Sequence, residues 1–203
     1  PDALLDNYQG TFSVNAPPAG AQFFAKWGRL DYVGGHYLKF VDGPYWLKAG
    51  PDEPEDFLGP GTLGDWNGKK AQVDYLASKG LNVMLIMLSN VLGDWNNVWP
   101  WVAPMDTEHF DVAKLADWKD IFHHIQSKGI VLFLTFEDDS AWNLFNRGMY
   151  YREMVARFGH YNGVIWCVGE EYNERYTPDE IKNNAQQIGD LDAYDHPITV
   201  HHA

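Results

Sequence analysis

Between residues 69 and 200 the chain repeats one pattern, in which apolar residues recur every three or four positions, a stop follows, and a continuous apolar run comes next. The first helical stretch, from about Lys69 to Lys79, stops at Gly80 and leads into the run Leu81 to Leu88. In the second, Asp111 stands at a capping position before Leu115, Trp118, Phe122 and Ile125, spaced 3-4-3, and Gly129 precedes the run Ile130 to Phe136. Ser78-Lys79-Gly80 and Ser127-Lys128-Gly129 are the same stop signal, with glycine where a left-handed residue ends a helix. The third unit goes from about Tyr150 through Phe158-Gly159 to Val164–Val168. The fourth opens at Thr177-Pro178-Asp179-Glu180, with Thr as cap, Pro in the first helical position and Glu closing a capping box, and its strand is Pro197 to Val200.

Runs that are apolar throughout are buried on both faces, which requires parallel pairing with helical crossovers. Upstream, Arg29–Val33 and His36–Phe40 flank Gly34-Gly35, a two-residue hairpin signal. Tyr45-Trp46-Leu47-Lys48 is expected as the first strand of the parallel set, making five strands in all. Residues 1–28 show no period and are expected as an irregular arm, leaving 29–203 as the α/β domain.

Open doubly wound sheets and closed barrels both satisfy this order. No G-x-G-x-x-G follows a strand, and Gly64-Asp65-Trp66-Asn67-Gly68-Lys69-Lys70 lacks both the spacing and the Ser or Thr of a phosphate loop. Polar and aromatic residues instead follow every strand, which favours a (β/α)8 barrel, of which this chain supplies roughly the first five strands. A closed barrel usually takes about 250 residues. The 203 present are therefore expected to be the first part of one, completed by further chain, by a complementary segment or in a homo-oligomer.

Charge narrows the partners. Fifteen Lys and Arg against 28 Asp and Glu give a formal charge of −13, which repels nucleic acid and anionic lipid. No run approaches the roughly 18 apolar residues that span a bilayer, so no membrane partner is expected. Cys167 is alone, inside an apolar run, and is read as an inert core thiol; neither a metal nor a cofactor is expected.

In a parallel barrel the residues just after each strand meet at one face. Here these are Lys48 with Asp52 and Glu53, then Asn90, then Glu137-Asp138-Asp139, then Glu170-Glu171, then His201-His202. Two adjacent carboxylates at the end of a buried strand repel each other and are hard to explain by stability, although one could be exposed and the other paired with Arg147 or Arg152. Lys48 could place a cation in the pocket or snorkel from a strand end, and one of His201 and His202 should reach a carboxylate or hydroxyl.

Trp166-Cys167-Val168-Gly169-Glu170-Glu171 resembles the strand-end pattern Trp-x-x-Gly-Asn-Glu of clan A glycoside hydrolases, whose final Glu is the general acid/base. That resemblance puts Glu171 on the acid/base position and Glu170 where the family has an asparagine that binds the sugar 2-hydroxyl. Over about residues 37–203 the chain also looks like secreted bacterial barrel proteins with a Trp-x-x-Gly-Glu-Glu strand end. The segments that carry this are Tyr45–Leu58, Tyr150–Gly159 and Asp192–Pro197. The Asn that usually follows the paired glutamates is displaced to Asn173. The resemblance implies a secreted or periplasmic hydrolase of poly- or oligosaccharide, whose nucleophile arrives on a strand outside this chain.

The loop from Val91 to Met105 places Trp95, Trp99 and Trp101 after the second strand, and Trp142 follows the third. Exposed indoles offer flat apolar faces to sugar rings; the other reading is a lid whose tryptophans pack on one another. The expected substrate contacts are thus Lys48, Asn90, Trp95, Trp99, Trp101, Glu137, Trp142, His201 and His202, with Glu171 and Glu170 as the catalytic pair. The alternative function is a barrel that binds glycan without cutting it.

Overall fold

The computed structural model describes residues 9–11, 13, 15–17, 19–21, 23–51, 55–61, 65–138 and 145–202. A short helix α1 (Phe24–Trp27) lies in the segment expected to be irregular, and strands β1 (Leu30–Tyr32) and β2 (Leu38–Phe40) pair antiparallel as expected, but through the five residues 33–37 instead of a two-residue turn. The main body runs α2 (Trp66–Ser78), β3 (Val83–Met87), α3 (Val112–Ser127), β4 (Val131–Thr135), α4 (Arg147–Phe158), β5 (Val164–Cys167), α5 (Tyr172–Arg175), α6 (Pro178–Leu191) and β6 (Ile198–Thr199).

The helices start and stop where local chemistry directs. Asp65, Asp111 and Asn146 each cap a helix by accepting a backbone N–H, and Thr177 with Glu180 forms the complete capping box. Gly80 and Gly129, at φ +79° and +76°, supply the left-handed residues that end α2 and α3.

β3, β4, β5 and β6 pair in parallel and in sequence order, without the reversal that marks a doubly wound sheet. Alternate residues on each strand face opposite ways. Met84, Ile86, Leu132, Leu134, Val164 and Trp166 join Val73, Trp118, Phe122, Tyr151 and Ile188 from all four long helices in one cluster. Val83, Leu85, Val131, Phe133, Ile165 and Cys167 form a second cluster with Phe24, Leu30, Phe40 and Trp46. Helices on one face and consecutive order make this a partial (β/α) barrel whose second cluster is the barrel interior. Burial pushes the Cys167 thiol up to about 12, which keeps it protonated.

The expected first strand departs from this plan. Tyr45 bridges Lys39 and the Trp46 N–H donates to Leu38 O, so this stretch extends the hairpin instead of forming a ladder with β3. The side chain of Asn82 stands in for that ladder, accepting from the Ala49 N–H at 2.9 Å and donating to Leu47 O at 2.9 Å. Four parallel strands are present among the described residues, one fewer than expected.

At the opposite end of the sheet from the β5 carboxylates, Asp192 accepts from the Trp166 indole at 3.0 Å and from the His196 backbone at 2.9 Å, with the His196 ring also at 2.9 Å. These contacts lock the end of α6 to β5. Burial opposes the Asp192 charge, but its His196 contacts win and hold the carboxyl at about 2. No described helix is long and apolar enough to cross a membrane.

Candidate active site

β5 is buried along its whole length, and its ladder with β6 continues past both strands. The Val168 N–H donates to Thr199 O, His201 N–H to Gly169 O and Tyr172 N–H to His201 O. This register brings Glu170, Glu171 and His201 to one strand end. Glu170 Oε1 lies 3.7 Å from His201 Nδ1, just beyond hydrogen-bond reach, and that Nδ1 bonds no described residue. His202 is exposed and packs edge-on against Tyr172, with centroids 5.6 Å apart.

Glu171 adopts φ 41°, ψ 42°, the left-handed region, immediately before α5, and its side chain does not cap that helix. A non-glycine residue held there costs on the order of 1–3 kcal/mol and persists only when its surroundings impose it. Two anchors impose it here. The Glu170 N–H donates to Glu137 O on one side, and on the other the Tyr176 N–H closes the α5 turn on Tyr172 O. No hydrogen bond or ion pair of the Glu171 carboxylate forms with a described residue.

Glu137 was expected among the substrate contacts, and the structure buries it completely. Arg147 Nε donates at 2.8 and 3.1 Å, Arg147 Nη2 at 2.7 Å, Tyr151 OH at 2.8 Å and Tyr176 OH at 2.7 Å. Those donors occupy its lone pairs, so it serves as scaffold. Burial opposes the Arg147 charge, yet the Glu137 carboxylate overrides it and raises the guanidinium pKa. Burial first, then the Glu137 charge, push the Tyr151 and Tyr176 phenols well above their usual range. Arg147 thus pairs with Glu137. Arg147 and Tyr151 stand four residues apart on one helical face, a spacing visible in the sequence; Tyr176 had no such signal.

Asn90 also turns inward. Its Oδ1 accepts from the Asn97 and Val98 N–H groups at 3.0 and 2.7 Å, and its Nδ2 donates to Glu55 O at 3.2 Å, closing the loop after β3. Gly93 lets that loop pass the Asp138 carboxylate, where a Cβ would fall 2.0 Å from Oδ2. The three loop tryptophans separate. Trp95 is 66% exposed, at φ 63°, and Trp99 borders a 420 Å³ cavity. Trp101 is 1% exposed among Phe110, Phe145 and Tyr150, and so belongs to the core instead of a sugar platform. Trp142, with Asp52, Glu53 and Asp139, lies outside the described residues.

Lys48 holds its ammonium 4.8 Å from the Phe133 ring centroid, in a 530 Å³ cavity on the barrel's inner face whose lining includes neither Glu170 nor Glu171. Among the described residues no group of three His, Cys, Asp or Glu could hold a metal ion.

The fold has solved counterparts. A glycoside hydrolase family 5 structure from Bacteroides vulgatus superposes with a TM-score of 0.70 at 15% identity, covering 89% of this chain and 40% of that one. A further structure named as a glycoside hydrolase gives 0.66 at 17% identity over 85% and 40%, and a β-mannanase from the blue mussel Mytilus edulis gives 0.60 at 15% over 86% and 63%. No family model and no curated protein sequence matches the chain. The chain spans about two-fifths of the length of the first two counterparts, and its fold is that of part of the (β/α) barrel they share.

Proposed function

We propose that this barrel segment carries the general acid/base of a glycoside hydrolase acting on a poly- or oligosaccharide, with Glu171 as the proton donor. The observation that carries the reading is the backbone of Glu171, a left-handed glutamate at a parallel strand's C-terminal end whose carboxylate bonds none of the described residues. Unlike Glu137, it is available to a ligand.

In the reaction Glu171 protonates the glycosidic oxygen as the bond to the anomeric carbon breaks, and then takes a proton from the incoming water. A carboxylate from outside this sequence completes the pair. Glu170 and His201, 3.7 Å apart, border the same site and are positioned to accept from and donate to sugar hydroxyls. Trp95, exposed on the loop after β3, offers an apolar face. A secreted or periplasmic setting goes with such a substrate and belongs to the same proposal.

The test is reducing-end release by the complete protein from mannan, xylan and cellulose, with Glu171→Gln alongside. The variant is expected to lose about 10²–10⁴-fold in kcat while binding stays within a few-fold. Turnover near the wild-type rate would remove Glu171 from this role. Binding without products in the wild type would return the alternative, a glycan-binding barrel.

A further inference from the structure

Outside β3, at the N-terminal ends of α2 and α3, lies the 420 Å³ cavity bordered by Trp66, Trp99, Asp65, Asn97 and Lys114, with Trp118 among its lining residues. Helices in this fold run antiparallel to the strands, so the cavity opens on the same end of the barrel as Glu171. None of its lining residues belongs to the β5 or β6 strand ends.

Two lysines hold its walls in place. Lys69, 2% exposed, donates to Phe57 O and Gly59 O at 2.5 and 2.7 Å, and its ammonium lies 5.1 Å from the Trp66 ring centroid. Lys114 donates to Trp99 O and Trp101 O at 3.1 and 2.8 Å, with its ammonium 5.1 Å from the Trp99 ring centroid. The two loops also abut directly, since a Cβ on Gly59 would fall 2.7 Å from the Asn97 side chain. A cavity built this way is formed before any ligand arrives, which lowers the ordering cost of binding.

The remaining polar groups define the ligand. Asp65 uses Oδ1 to cap α2, and Oδ2 bonds no described residue. Asn97 has Oδ1 engaged by Asn90, while its Nδ2 donors bond no described residue. Lys114 has used two of its three protons on carbonyls. An acceptor and two donors thus stand beside two partly exposed indoles. Asp56 acts on Lys69, and Asp111 lies 4.0 Å from Lys114. With Asp65 also in the lining, there is no surplus positive charge to recruit an anion.

We propose that this cavity is a second carbohydrate site, one that takes a neutral sugar unit, with Trp66 and Trp99 against the ring and Asp65, Asn97 and Lys114 on its hydroxyls. The volume falls within the roughly 300–1,000 Å³ typical of small-molecule sites. This inference goes beyond the acid/base reading and shares no residue with it, so the two can fail separately.

The experiment follows the indole N–H signals of the Glu171→Gln protein by NMR while cellobiose, β-1,4-mannobiose or galacturonic acid is added at millimolar concentration. The Trp66 and Trp99 signals are expected to shift with a neutral disaccharide, while those of Trp27 and Trp46, at the hairpin, stay. Trp66→Ala should weaken binding about tenfold. Asp65→Asn, which keeps the helix cap but loses the charged acceptor, should weaken it several-fold in a protein of unchanged fold. The proposal is overturned by the absence of any response at Trp66 and Trp99, by a response to the uronate alone, or by unchanged affinity in both variants. Wild-type turnover in Glu171→Gln, or no product release by the unsubstituted protein, with these shifts intact would count against the catalytic reading only.

Discussion

Glu137 and Glu171 follow neighbouring parallel strands, β4 and β5, and each ends a run of buried apolar residues. Their surroundings make them opposites. Glu137 is fully buried and takes hydrogen bonds from Arg147, Tyr151 and Tyr176. Glu171 keeps its carboxylate out of such contacts and holds a left-handed backbone. The first satisfies the rules for a stable buried charge, and the second departs from the backbone conformation usual for its residue type. Local rule-breaking of that kind concentrates at functional sites. The two are also linked, because Tyr176 bonds the Glu137 carboxylate and closes the turn that begins at Glu171. The saturated glutamate therefore positions the strained one.

The sharpest way to break this contrast is to remove each carboxylate in turn. Glu137→Ala strands the Arg147 charge in the interior and should cost about 3–5 kcal/mol in urea unfolding, whereas Glu171→Ala should stay within about 1 kcal/mol of wild type. Equal losses would mean that the two glutamates have the same job. A narrower probe is Tyr176→Phe, which deletes a single donor to Glu137. It should cost about 1–3 kcal/mol and speed hydrogen exchange at the amides of residues 170–176, with no change at β3.

A smaller effect of opposite sign is expected at the other glutamate. Glu171→Gly removes the left-handed penalty and adds chain entropy to the unfolded state, for a net gain of about 0.5–1 kcal/mol. A destabilised glycine variant would show that the Glu171 side chain contributes to the fold. The smallest effect is in alkaline solution. Tyr151 and Tyr176 have raised pKa values when folded, so the stability they confer is complete below the ordinary phenol value of about 10 and declines as pH rises beyond it. The urea midpoint of the wild type should fall between about pH 9 and pH 11 by more than that of Glu137→Gln. Parallel curves would detach the tyrosines from Glu137.

Much of the scaffold could be read from the chain alone. The caps at Asp111 and Thr177, the stops at Gly80 and Gly129 and the apolar runs of β3, β4 and β5 depend on residues within a few positions of one another. Short-range chemistry of that kind survives any rearrangement of the rest of the molecule. The same holds for the choice of parallel pairing, which follows from strands that are apolar on both faces.

Other features required the folded molecule. Whether Trp101 faces sugar or core and whether Glu137 is ligand or scaffold turned on groups far away in sequence, and whether Asn90 meets solvent or its own loop turned on how that loop folds back. Tyr176 is 39 residues from Glu137, and nothing in either neighbourhood announces the other. The Tyr45–Lys48 stretch carried a strand's composition, but its backbone bonds went to β2 and to the side chain of Asn82. Periodicity along the chain determined which segments are helix or strand and which faces they bury, because backbone dihedrals and side-chain spacing are local. The partner of each polar group was decided by tertiary structure alone, because a buried donor or acceptor bonds whatever group the fold brings within about 3 Å.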